Sequence, residues 1–107
     1  MKADEPYVLH ILDAIVKIRE FCRGMDSAGF AKDERTREAV IRKLEIIGEA
    51  AKHLSSEFKN NRKSIPWSRI AGMRDKLIHG YAGVDYDIVW NVIENELPEL
   101  ERALKEN

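Results

Sequence analysis

A chain of 107 residues with 44% apolar side chains is long enough for one small domain with its own core, and too apolar to be a disordered tail. Its 18 basic and 19 acidic side chains leave a formal net charge of -1, so contact with a polyanion has to come from a local patch. One cysteine, Cys22, excludes an intramolecular disulfide framework and fits a reducing cytosol. No stretch reads as a signal peptide or a bilayer span, so the expectation is a single cytoplasmic domain over residues 1–107, without membrane contact.

Four helical segments follow in chain order, and none of the pattern reads as strand. Asp4 is placed to cap the first, with Pro6 in its first turn. Val8, Ile11, Leu12, Ile15, Ile18 and Cys22 then recur at helical spacing. Residues 24–32 read as a flexible connection. Asp33 or Thr36 caps the second helix, whose stripe is Val40, Ile41, Leu44, Ile47, Gly48, Ala51 and Leu54. Ile46 and Ala50 fall largely outside that stripe, and a second apolar strip suggests a contact beyond the monomer core.

Residues 55–64 are polar and carry Lys59, Arg62 and Lys63. The run reads as a solvated loop or as a contact to an RNA backbone. Pro66 opens the third helix, predicted to reach Ile78 or His79, with Gly80 ending it. Asp85 caps the fourth, whose stripe is Val89, Ile93, Leu97, Leu100 and Leu104, kinked or broken at Pro98. Short connections between such segments imply an all-α, antiparallel, up-and-down four-helix bundle.

The third segment carries the chemistry, in Arg74-Asp75-Lys76-Leu77-Ile78-His79-Gly80-Tyr81. Arg74 projects from an apolar arc of Ile70, Met73, Leu77, Ile78 and Tyr81. A guanidinium there needs a carboxylate (Glu45, Glu49 or Glu96) or the phosphate of a ligand. On a helix, Asp75 and His79 would share a face, so the carboxylate could orient the imidazole and raise its pKa. The plain alternative is a surface histidine near a helix end. Tyr81 reads equally as a core tyrosine or as a ring for stacking on a base. Arg74 and His79, five apart, would point roughly 140° from each other on a regular helix. They meet at one site if the helix unwinds near Gly80, if the arginine reaches around, or if two protomers contribute. No metal site is expected, since His10, His53 and His79 lack paired-ligand spacing. Trp67 and Trp90 read as core.

An arginine, four residues, a histidine and a tyrosine two further on form the R-x4-H-x-Y signature, and here the chain resembles the HEPN superfamily, in particular the HepT-like ribonuclease toxins. The resemblance extends to Val40 through Ala50, Ile65-Pro66-Trp67, Gly72-Met73, Val84-Asp85, Val89-Trp90 and Leu97-Pro98, covering residues 7–104. Asp75 stands where Asn is frequent in that branch.

The resemblance implies a homodimeric, metal-independent endoribonuclease needing no cofactor, with paired motifs lining a cleft between two copies. Arg74 and His79 would be catalytic, with Asp75 in support and Lys59, Arg62, Lys63 and Lys76 as further RNA contacts. It also implies a toxin-antitoxin role: an MNT-type nucleotidyltransferase antitoxin would silence the enzyme by transferring AMP to Tyr81. An alternative from the same superfamily is a non-catalytic helical subunit that binds substrate or nucleotide for a nucleotidyltransferase. A plain dimeric interaction module, with Arg74 in a structural ion pair, is the third reading.

Overall fold

The computed structural model describes residues 3–73, 75 and 83–106, together with the backbone of Ile78 and His79. The chain is all-α in architecture. It runs through α1 (Glu5–Phe21), α2 (Ser27–Lys32), α3 (Glu34–Lys52), α4 (Ser56–Asn60) and α5 (Trp67–Ala71). Then come β1 (Ile78–His79), β2 (Gly83–Val84), α6 (Tyr86–Asn91), a π-helical turn (Val92–Glu96) and α7 (Leu97–Lys105). Long α1 and α3 lie side by side; α7 closes on α1, α5 on α3, and α2 on both α3 and α6. No helix of the described residues is long and apolar enough to cross a membrane.

The buried stripes follow the sequence periodicity. Ile11, Ile15 and Ile18 on α1 and Cys22 at its end meet Val40, Leu44, Ile47, Ala51 and Leu54 of α3 and its end, and Leu97, Leu100 and Leu104 complete the core. Ala50 departs from the expected second strip: it is 5% exposed and belongs to the core, with Ile46 half-buried beside it. That strip is therefore not a free apolar face. Among the described residues the large exposed apolar side chains are Leu9, Val16, Phe21 and Ile88.

Two predicted connections contain helices. α2 is capped by the Asp26 side chain, which accepts from the Gly29 amide at 2.8 Å, and it drives Phe30 into the core. α4 is capped by Ser55, whose Oγ accepts from the Phe58 amide at 3.1 Å, and it buries Phe58. In each, a good cap and one buried aromatic outweigh a polar or glycine-containing sequence. Asp4 occupies the N-cap position of α1 without capping it. Its buried carboxylate instead accepts from the amide and hydroxyl of Ser55, at 2.7 and 2.8 Å, tying the start of α1 to the start of α4. At the other end, Arg19 clasps Glu101 of α7 through 2.7 and 3.4 Å bonds, and this partner holds the Glu101 carboxyl below its ordinary value.

The break expected at Pro98 takes the form of the π turn just before it. A proline lacks an N–H and its ring crowds the carbonyl four residues back, here Glu94. The wider turn absorbs both: the Leu97 amide donates to the Val92 carbonyl, five residues back, and Pro98 falls in the first turn of α7, where no donor is needed.

Gly48 sets how closely α5 can approach α3. A Cβ built there would stand 3.2 Å from the Ile70 carbonyl oxygen and 3.3 Å from that of Ala71. Alanine gains about 1 kcal/mol in helix propensity, which offsets a shift of a few tenths of an ångström. Valine adds two methyls against rigid backbone and is expected to lower stability by about 1–3 kcal/mol. Urea unfolding of Gly48→Ala and Gly48→Val checks this; equal midpoints would mean that the crossing is not tight.

Candidate functional site

The motif segment is launched from a fixed base. Trp67 donates its indole N–H to the Arg62 carbonyl at 3.0 Å and meets Phe58 edge-on, so α5 leaves the α4 end in a set direction. Ile70 and Met73, 2% and 4% exposed, anchor its inner face. Both tryptophans are partly buried and pack against the core, Trp90 lying 5.3 Å from Phe30. α5 itself stops at Ala71, with Gly72 at its C-cap. Helical conformation is present again at Met73 and Asp75, whereas Ile78 and His79 are extended.

That change corrects the sequence reading. Instead of continuing to Ile78 or His79, the helix gives way to an antiparallel ladder in which Ile78 pairs with Val84 and His79 with Gly83. Asp75 is exposed on helical backbone and His79 lies in a strand, so they do not share a helical face. The 140° divergence of a regular helix no longer applies to Arg74 and His79.

The ladder is braced from β2. Val84 is half-buried against the core, and the Asp85 carboxylate caps α6, accepting from the amides of Asp87 and Ile88 at 3.0 and 3.3 Å. The Tyr86 ring lies 4.4 Å under the Arg37 guanidinium and 6.3 Å from Phe30, edge to face. Gly83 takes φ +82°, a conformation that glycine adopts without strain. The backbone of His79 is thus held by a strand whose own continuation is pinned to α2 and α3.

Arg74, Lys76, Gly80 and Tyr81, and the side chain of His79, lie outside the described residues. Of the carboxylates considered for Arg74, Glu96 pairs with Arg69, and Glu49 stands 3.7 Å from both Lys52 and His53. Arg62 is not free to meet RNA. Its guanidinium donates to the carbonyls of Ala103 (2.9 Å), Phe58 (3.3 Å) and Glu106 (2.7 Å), and lies 3.8 Å over the Phe58 ring. It caps the last carbonyls of α7, which have no helical donors of their own. Nothing local in the polar run around it announces a partner about forty residues away. Lys63 is exposed and Lys59 half-buried, both available at the surface. No group of three or more His, Cys, Asp or Glu among the described residues is placed to hold a metal.

The model of the HepT-like family, described as ribonuclease HepT-like, matches residues 11–106. A protein of Caldanaerobacter subterraneus subsp. tengcongensis, provisionally named an RNase, is 48% identical over 99% of this chain and 95% of its own length. A Methanocaldococcus jannaschii protein, also provisionally named an RNase, is 40% identical over 94% of this chain and 86% of its own. One from Thermococcus cleftensis, named with similar reserve as ribonuclease HepT, is 43% identical over 92% and 90%. No solved structure matches the chain. With the family model covering nearly the whole chain and relatives of such identity aligned along their length, this protein belongs to the HepT-like ribonuclease family.

Proposed function

We propose that this ribonuclease is the toxin of a toxin-antitoxin pair, acting as a homodimer that cleaves single-stranded RNA without a metal. The observation that carries the reading is the Arg74, His79 and Tyr81 constellation in a chain of this family. The ribose 2′-hydroxyl attacks the adjacent phosphate, and the 5′-oxygen leaves, giving a 2′,3′-cyclic phosphate and a 5′-hydroxyl. His79 moves a proton near neutral pH, and Arg74 neutralises charge on the phosphorane through its bidentate fork. The extended backbone at His79 supports this, because it frees the histidine from helical divergence. Two copies bring two motifs to one cleft. An MNT-type nucleotidyltransferase silences the enzyme by transferring AMP to Tyr81.

Purified protein is expected to cut single-stranded RNA in excess EDTA, with cyclic phosphate ends, and to sediment as a dimer at micromolar concentration. Loss of cleavage on chelation, or 3′-hydroxyl ends, would overturn the mechanism. A stable monomer would overturn the shared cleft.

A further inference from the structure

Tyr7, near the start of α1, lies parallel to the His53 imidazole at the end of α3, with centroids 5.0 Å and planes 14° apart. His10 meets the same Tyr7 ring edge-on at 6.5 Å. Between the two helices an open groove of about 310 Å³ remains, lined by these rings, by Ile46 and Ala50, by Arg42, and by the carboxylates Glu45 and Glu49. Tyr7 is half-buried against the core, whereas the His53 and Glu49 side chains beside it are 53% and 67% exposed.

We propose that the groove is a nucleobase subsite for single-stranded RNA that favours guanine. The inference rests on the ribonuclease reading only for the polymer to which the base belongs. Unpaired bases are recognised by stacking on aromatic rings and by hydrogen bonds to their Watson–Crick edges, and His53, backed on one face by Tyr7 and 53% exposed, offers such a ring. Guanine sets two donors side by side on that edge, N1–H and the exocyclic amine, matching the two oxygens of one carboxylate. Glu49 supplies it: its 3.7 Å approaches to Lys52 and His53 are longer than hydrogen bonds and leave its acceptors open to an incoming edge.

Carboxylates in the groove disfavour a phosphate within it, so the base enters and the backbone stays outside. Arg42, about three helical turns from His53 at the far end of the groove, is a cation there for the phosphate of a neighbouring nucleotide. The location suits a substrate subsite. Glu49 adjoins Gly48, where α3 touches the backbone of Ile70 and Ala71, so the groove begins within a turn of the crossing from which the motif segment departs.

The test is NMR titration of the purified chain with 5′-GMP, AMP, CMP and UMP, following the Tyr7, His10 and His53 ring signals. GMP is expected to shift them and to bind at least about fivefold tighter than AMP, the low end of what a good bidentate base contact discriminates. Glu49→Gln should erase that preference. His53→Phe should retain binding that His53→Ala loses, because the ring and not its charge is used. Equal affinity for the four nucleotides, or shifts confined to other residues, would overturn the proposal. So would rings hidden under a second copy of the chain, seen as GMP-insensitive signals that appear only on dilution. Should the protein bind GMP here yet cut no RNA, the ribonuclease reading fails and the subsite stands. Should it cut RNA while GMP leaves these rings unshifted, the subsite fails and the ribonuclease reading stands.

Discussion

Alanine at His79 is expected to lower RNA cleavage about 10²–10⁴-fold, the range by which a positioned acid or base accelerates a proton transfer. Alanine at Arg74 should lower it about 10²–10³-fold, as removal of a group that stabilises transition-state charge does. The double variant should be little worse than the poorer single one, because members of one cooperating site are far from additive. Neither change should lower the unfolding midpoint by more than a few degrees. For His79 the reason is structural: its place in the ladder depends on backbone pairing with Gly83, which alanine keeps. Single-turnover cleavage of a labelled oligoribonucleotide, beside thermal unfolding, reads both. Full activity in His79→Ala would remove the histidine from the mechanism. A collapse of stability in Arg74→Ala would favour the structural ion pair as the role of that residue.

How far the sequence reveals each element depends on how many residues carry its signal. α1 and α3 repeat their apolar positions over several turns, so their faces are legible, with Ala50 the exception on α3. α2 and α4 are a turn or two long, and periodicity cannot register there. Each rests on one cap and one aromatic, Asp26 with Phe30 and Ser55 with Phe58. Interactions between distant segments leave no local signal at all. Asp4 has the pattern of a cap but ties α1 to Ser55, and Arg62 has the pattern of a solvated base but caps α7.

The motif shows the same division. The residue types that suit phosphate chemistry are visible at once as Arg74, His79 and Tyr81. The backbone that carries His79 is not, because the extended conformation at Ile78 and His79 is dictated by a partner strand, Gly83–Val84. That strand is in turn held by the Asp85 cap and by the contact of Tyr86 with Arg37. A helical repeat extrapolated through residue 79 has no means of registering such a partner. The Tyr7 and His53 rings, 46 positions apart in the chain, meet only because α1 and α3 run side by side.

Co-expression with the cognate nucleotidyltransferase is expected to add one or more AMP masses to a peptide containing Tyr81, with RNA cleavage falling in proportion. In that transfer the Tyr81 phenolic oxygen would attack the α-phosphate of ATP, with pyrophosphate leaving and the phenolic proton passing to solvent. In sequence Tyr81 stands midway between His79 and Gly83, the two positions that the ladder pairs. Each AMP brings a phosphodiester anion and a base. The anion would compete for the Arg74 guanidinium with the RNA phosphate, and charge-assisted bidentate pairs of this kind are strong enough to hold it. The base would occupy space that a substrate nucleotide requires. Tyr81→Phe should therefore keep most of the cleavage activity and escape silencing, which intact-mass measurement and a parallel RNase assay would register together. An inhibited complex with unmodified Tyr81 would mean that the partner blocks the cleft by its bulk. A modified enzyme that still cleaves at the full rate would mean that Tyr81 lies too far from the reacting phosphate for its adduct to matter.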